Sequence, residues 1–182
     1  AAENLTAFKA AVNAVPDGGV IYIPSANAPY VIDTTGGLTD AIEIDKRLTI
    51  VFDGDVQSNF GALQANPPCI FYVTADNVTF TGTGIILGEG TFDVTISGTD
   101  STMPALVRVT GDAFTADGIT IDTPYRTGIH LLNCAYAKIV NCNFTGGPTE
   151  YTTGNTAYFG IRLYLTEKIN ISSNQFYPDA TG

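Results

Sequence analysis

Three polar residues, Arg108, His130 and Arg162, each lie between two aliphatic residues, in the runs V-R-V, I-H-L and I-R-L. Because successive side chains of a strand point to opposite faces, the aliphatic neighbours would turn toward a core and the polar residues outward. Stacked on successive repeats about 5 Å apart, the two arginines would repel each other unless an anion lies on them. The row therefore predicts a site for a uronic-acid or phosphorylated glycan. In the alternative interpretation, His130 stays neutral between two solvated arginines that reach nearby carboxylates.

Aromatic residues near this row could stack on sugar rings. Tyr164 is the next outward-facing residue on the strand of Arg162, and Tyr125 and Arg126 come just before the strand of His130. Tyr151 belongs to a Gly/Thr-rich insertion that we expect to project beside the row. These residues, with the two arginines of the row, are the predicted substrate contacts. Alternatively, the tyrosines pack on their neighbours and the insertion is an ordinary surface loop.

Two kinds of catalysis are compatible with these residue types. Glycoside hydrolysis needs two carboxyl groups about 5 to 5.5 Å apart for retention, or about 6.5 to 9.5 Å apart for inversion. Asp122 and Glu150 are the carboxylates that the sequence places nearest to the row. A lyase would instead need a cation on the uronate and a base such as His130 or Tyr164. Asp122, Glu150 and His130 are therefore the candidate catalytic residues, and both reactions stay open.

Internal repetition indicates which elements position these residues. Residues 128–144 align with residues 160–176 after a shift of 32 positions, with apolar residues on apolar residues, and V-R-V-T at 107–110 lies 22 positions before I-H-L-L. Strand pieces of constant pattern joined by connections of variable length are typical of a β solenoid. The sequence thus predicts an all-β chain, a right-handed parallel β-helix, as one domain over residues 1–182.

One helix is predicted, over Glu3 to Val15, because Leu5, Phe8, Val12 and Val15 make one apolar stripe that ends at P-D-G-G. A short helix before the first strand would cover the open edge of the first coil. The sequence shows no comparable cap after the last repeat, so we expect further coils or a partner chain to continue the stack.

Composition restricts the classes of molecule that we expect the protein to bind. A net charge of −10 disfavours nucleic acid and anionic membranes, and no apolar run is long enough to span a bilayer. No cofactor is expected. Calcium binding by Glu89, Asp93 and Asp100 lacks the EF-hand pattern that would support it. The odd count of three cysteines, without metal-ligand spacing, predicts buried free thiols.

The opening L-T-A-F-K-A-A-V-N-A-V-P-D-G-G-V-I-Y-I-P and the later A-D-N-V-T-F-T-G-T-G-I-I resemble pectate-lyase-like β-helices, which include bacteriophage tailspikes. The resemblance implies a carbohydrate-active protein, extracellular or on a virion tail, and for a tailspike a homotrimer. It implies no catalytic residue, because the polygalacturonase signatures N-T-D, G-H-G and R-I-K are absent. The same superfamily includes non-enzymatic proteins, so a structural stalk or adhesin is the competing expectation.

Overall fold

The computed structural model describes residues 2–33, 40–59, 69–88, 104–122, 127–146 and 159–177. Among these residues one helix comes first, α1 (Ala2–Ala14), and short strands joined by turns follow it. The strands are β1 (Gly19–Ile23), β2 (Tyr30–Asp33), β3 (Ile42–Ile44), β4 (Leu48–Phe52), β5 (Val56–Asn59), β6 (Phe71–Val73), β7 (Thr79–Gly82), β8 (Ile85–Leu87), β9 (Val107–Val109), β10 (Thr115–Asp117), β11 (Thr120–Asp122), β12 (Thr127–Leu132), β13 (Lys138–Val140), β14 (Asn143–Thr145), β15 (Phe159–Tyr164), β16 (Asn170–Ser172) and β17 (Gln175–Tyr177).

The strands form three sheets in which every pairing is parallel. Sheet A has the order β1-β4-β7-β10-β13-β16, sheet B has β2-β5-β8-β11-β14-β17, and sheet C has β3-β6-β9-β12-β15. The chain visits the three sheets in turn, so each circuit is one coil lying on the coil before it. The predicted fold class, a parallel β-helix with a short N-terminal helix, is confirmed. The repeat alignment is also confirmed, since Ile129 pairs with both Val107 and Ile161, and Phe144 pairs with Phe176.

Alternation within the strands builds the core. The central residues Ala116, Ile121 and Ile139 of the three-residue strands β10, β11 and β13 point inward and are fully buried. Four phenylalanines from successive coils meet edge to face in the interior, with Phe80 in contact with Phe52, Phe71 and Phe114. Each coil thus buries its apolar side chains against its neighbours along the axis.

The helix α1 packs against the first coil. Phe8 lies edge-on to Phe71 and Tyr30, and Val12 is buried. The Lys46 ammonium donates hydrogen bonds to the carbonyl oxygens of Asn13 and Val15, which the end of the helix leaves without helical partners. The described part of the chain contains no helix long and apolar enough to cross a membrane.

The three corners of the coil differ. Connections from sheet A to sheet B and from sheet C to sheet A stay short, whereas those from sheet B to sheet C range from residues 123–126 to residues 88–106. All of the large variation in repeat length therefore falls at one corner, and the strands keep their register across it.

The corner between sheets C and A repeats one backbone conformation. The residue two positions before each of four sheet A strands has a positive φ: Asn77, Ala113, Tyr136 and Lys168. This left-handed conformation costs a residue with a Cβ about 1 to 2 kcal/mol. The hydrogen bonds of the corner hold it, because Asp76 Oδ1 accepts from the Asp112 amide and Asp112 Oδ1 accepts from the Ala135 amide.

Replacing Ala113 with glycine is expected to stabilise the protein by about 0.5 kcal/mol, because the relief of strain at φ 56° exceeds the extra unfolded-state entropy of glycine. The matched control is Ala135→Gly in the next coil, where φ is not positive and the change should destabilise by about 0.5 to 1 kcal/mol. Urea denaturation of the two variants measures both. Equal destabilisation by the two changes would contradict the assigned strain.

Candidate functional site

Arg108, His130 and Arg162 lie in one row on sheet C. Strand β12 pairs with β9 and β15 so that His130 is the register partner of both arginines. The adjacent residues Val107 and Val109 are in the core, which places the row on the outer face. The predicted stacking of the three residues on successive coils is therefore confirmed, at the usual strand separation of about 4.8 Å.

The row is longer than the three residues predicted from the sequence. Tyr72 of β6 pairs with Arg108, and Glu43 of β3 pairs with Tyr72. The row thus runs over five coils as Glu43, Tyr72, Arg108, His130 and Arg162. The sequence contains a signal for Glu43 and Tyr72. Both I-E-I and F-Y-V place one more polar residue between two apolar residues, as V-R-V does.

The centre of the row is not open to solvent. His130 is 0% exposed and Arg108 is 5% exposed, whereas Tyr72 and Arg162 are partly buried and Glu43 is exposed. The alternative interpretation expected two solvated arginines, and for Arg108 that expectation is wrong. Alternation determines which side of a sheet a residue takes, but it carries no information on what lies over that side.

Burial determines the electrostatics of His130. Removal from water, and secondarily the positive charge of Arg108, lower the pKa of the imidazole to about 4. Its Nδ1 and Nε2 are both buried and have no hydrogen-bond partner among the residues that the structure describes. The ring is therefore neutral at pH 7 and retains one donor and one acceptor.

Arg108 is at the centre of a buried polar cluster with Cys69, Tyr72 and His130. Burial lowers the pKa of its guanidinium, and the ionised forms of Cys69 and Tyr72 would oppose that effect. Burial also raises the pKa of the Cys69 thiol to about 12, with Arg108 acting in the opposite direction. The thiol is consequently protonated at neutral pH and is no nucleophile. Cys69, Cys134 and Cys142 are free and buried, as predicted.

Of the candidate carboxylates, the structure describes Asp122. It ends β11 in sheet B, where its Oδ1 accepts a hydrogen bond of 2.6 Å from the Thr145 hydroxyl. Glu150 lies outside the described residues, as do Tyr125, Arg126 and Tyr151. The distance between the two proposed catalytic carboxyl groups therefore stays a prediction.

Tyr164 is the register partner of Leu132, two positions beyond Arg162 on the same face. Its side chain is partly exposed, so the end of the row at β15 offers a guanidinium and an aromatic ring side by side. No group of three or more potential metal ligands occurs among the residues that the structure describes. Glu89, Asp93 and Asp100, the possible calcium ligands, lie outside them.

Comparison with known proteins supports the assignment of the fold. No family model matches this chain, and no curated protein does. Among solved structures, it is similar to a protein from Parabacteroides merdae ATCC 43184 described as a putative glycosyl hydrolase, with a TM-score of 0.66 over 98% of this chain and 85% of that chain. The two chains share a fold. At 15% sequence identity, the similarity extends no further.

Chemically, the row offers two cations on either side of a neutral imidazole. Guanidinium groups bind carboxylates through paired hydrogen bonds, and Arg162 is the partly exposed one. An anionic group bound there would also lie within reach of the Tyr164 ring. The buried, weakly basic imidazole of His130 is better suited to donating or accepting a hydrogen bond than to taking a proton from a polymer in solution.

Proposed function

We propose that the protein binds and cleaves an acidic polysaccharide on the outer face of sheet C. The observation that carries the proposal is the in-register row of Arg108, His130 and Arg162, which concentrates positive charge on one face of a chain whose net charge is −10. The fold shared with a protein described as a glycosyl hydrolase supports a carbohydrate substrate. In this proposal Arg162 binds a sugar carboxylate, and Tyr164 stacks on the adjoining ring.

The proposed cleavage is either a hydrolysis or a lyase reaction, and the candidate residues have different roles in the two. A hydrolase would use Asp122 and Glu150 as its carboxyl pair. A lyase would use Arg162 to neutralise the uronate, with Tyr164 near the proton that is removed, because the side chains of Arg108 and His130 are buried. The pectate-lyase-like resemblance supports either a secreted enzyme or a tailspike depolymerase, on a virion tail and trimeric in the second case.

The second candidate function is a non-enzymatic stalk or adhesin that binds surface glycans. The burial of His130 and Arg108 favours it, because a polymer cannot reach either side chain in the described conformation. In this interpretation the buried part of the row is structural, and Arg162 and Tyr164, which are partly exposed, would contact the glycan.

Incubation with a panel of acidic polysaccharides distinguishes these functions. New ultraviolet absorbance from an unsaturated uronate identifies a lyase, and reducing ends without that absorbance identify a hydrolase. Binding without either product supports the adhesin. Failure to bind any polymer of the panel contradicts the proposed substrate class.

The same assay tests the row. Arg162→Ala should weaken binding by about 10-fold to 100-fold, because a hydrogen bond to a charged group contributes about 1.5 to 3 kcal/mol. The matched control is Arg47→Ala, which removes an exposed arginine that pairs with Asp17 at 3.0 Å, outside the row. Unchanged affinity in Arg162→Ala, or an equal loss in both variants, would place the binding site elsewhere.

A further inference from the structure

The corner between sheets C and A carries a second row of side chains. Its residues with a positive φ lie on successive coils and form what we call the corner row: Asn77, Ala113, Tyr136 and Lys168. Backbone hydrogen bonds join the coils at this point, since the Ala113 amide donates a hydrogen bond of 2.8 Å to the carbonyl oxygen of Ala135 in the next coil. Members of the corner row are therefore spaced like neighbouring strands, about 4.8 Å apart.

The corner row has a gap at Ala113. A methyl group is the smallest side chain of the row, and the longer side chains of Asn77 and Tyr136 lie on either side of it. These two residues are two coils apart, so a ring placed midway would lie about 4.8 Å from each. This distance fits one puckered, saturated ring in van der Waals contact with both sides. We call the gap, with Asn77 and Tyr136 as its walls and Ala113 as its floor, the notch.

The aromatic wall of the notch is held in place from behind. Lys168 Nζ lies 4.8 Å from the centroid of the Tyr136 ring and donates a hydrogen bond of 3.0 Å to its hydroxyl oxygen. Lys168 follows Tyr136 in the corner row and Ala113 precedes it, so the ammonium covers one face of the ring and the other faces the notch. The Tyr136 side chain is 58% exposed. A ring that is already fixed by a cation loses little conformational entropy when a ligand stacks on it.

Two carboxylates lie beside the notch. Asp76 Oδ1 accepts a hydrogen bond of 2.8 Å from the Asp112 amide, and Asp112 Oδ1 accepts one of 2.7 Å from the Ala135 amide. Each carboxylate is thereby fixed between two coils, and its second oxygen can accept a hydrogen bond from a hydroxyl group. The Asn77 amide adds both donors and an acceptor. Because carboxylates repel anions, these groups favour an uncharged ligand that is rich in hydroxyl groups.

We propose that the notch binds one neutral pyranose ring of a glycan, stacked on Tyr136 over the methyl group of Ala113. The sugar hydroxyls would bond to the polar side chains around it: Asp76, Asp112 and Asn77. A sugar ring presents apolar C–H groups on its face and hydroxyl groups at its edge, which matches an aromatic wall beside carboxylate and amide groups. The notch lies outside the row on sheet C and takes an uncharged sugar, so it does not depend on the proposed acidic polysaccharide.

Titration of the full 182-residue chain with neutral tetrasaccharides of glucose, mannose and galactose, followed by NMR, tests the notch. At least one of them should shift the signals of the Asn77 side-chain amide and the Tyr136 ring. Ala113→Asn should raise the dissociation constant about fivefold or more, because asparagine fills the notch and tolerates a positive φ. Tyr136→Asn should have a similar effect through loss of the stacking ring. Tyr22→Asn is the matched control, because Tyr22 is also 58% exposed but lies on the first coil.

The outcomes separate the notch from the row on sheet C. Arg162→Ala, which should weaken binding of an acidic polymer, should leave the affinity for the neutral sugars unchanged. The absence of a shift with all three sugars would overturn the proposal, as would unchanged affinity in Ala113→Asn or an equal loss in Tyr22→Asn. Equally tight binding of tetragalacturonate at these signals would overturn the assignment of an uncharged ligand.

Discussion

Replacing Phe80 with alanine is expected to lower the free energy of unfolding by about 3 to 5 kcal/mol. The ring is fully buried and lies 5.3 Å from Phe52, 5.2 Å from Phe71 and 5.3 Å from Phe114, measured between ring centroids. These neighbours come from the preceding, the same and the following coil. Truncation would leave a cavity where three coils meet, and strands held in a parallel ladder cannot close around it.

Chemical denaturation of Phe80→Ala measures this loss, and Tyr22→Ala is the matched control. Tyr22 also lies in sheet A, but it faces outward and its hydroxyl donates a hydrogen bond to Asp53 in solvent. The control should change the free energy of unfolding by about 1 kcal/mol or less. A loss below about 1.5 kcal/mol for Phe80→Ala would show that the phenylalanine cluster is not the centre of the core.

Acidification from pH 7.5 to pH 4 is expected to cost the protein about 2 to 3 kcal/mol through His130 alone. The imidazole has an ordinary pKa of 6.5 in the unfolded chain and a pKa of about 4 in the folded one. Between these values the unfolded state binds the proton and the folded state does not. The contribution of His130 to stability is therefore complete above pH 6.5 and is lost as the pH falls toward 4.

The chain has one histidine, so no other imidazole contributes to the pH dependence of stability. The difference in unfolding free energy between the protein and His130→Gln should vary by about 2 to 3 kcal/mol over that pH range, because carboxylates common to both proteins cancel. Arg108 and Arg162 are the register partners of His130 on the two adjacent strands and are unchanged in the variant. An imidazole NMR signal that titrates near 6.5 would contradict the burial of the ring.

The regular part of the fold could be predicted from the sequence because it depends on local patterns. The alternation around Ile129 and Leu131 selects the inner face, and repetition selects the register, so the partners Ile161 and Leu163 follow directly. The helix was predicted over Glu3 to Val15 and is observed over Ala2–Ala14, which agrees within the usual uncertainty of helix ends.

The candidate site was less predictable, for a physical reason. The alternation of side chains along a strand places Arg108 and His130 on the outer face. Their burial depends on tertiary contacts, and that alternation contains no information about those contacts. Tyr72 and Glu43 were missed because the earlier repeats are separated by connections of different lengths, which hides their alignment at a constant shift. The predicted approach of Asp122 to Glu150, which lies outside the described residues, would depend in the same way on long-range contacts.

The confinement of length variation to the corner between sheets B and C has an evolutionary consequence. Residues can be added or removed there without shifting any hydrogen-bonded rung, so the scaffold tolerates insertions beside sheet C, the face that carries the polar row. New recognition surfaces can then arise by changes in connection length, while selection for stability acts on the strands. Related chains would diverge fastest at this corner, and their relationship would be preserved in the order and register of the strands.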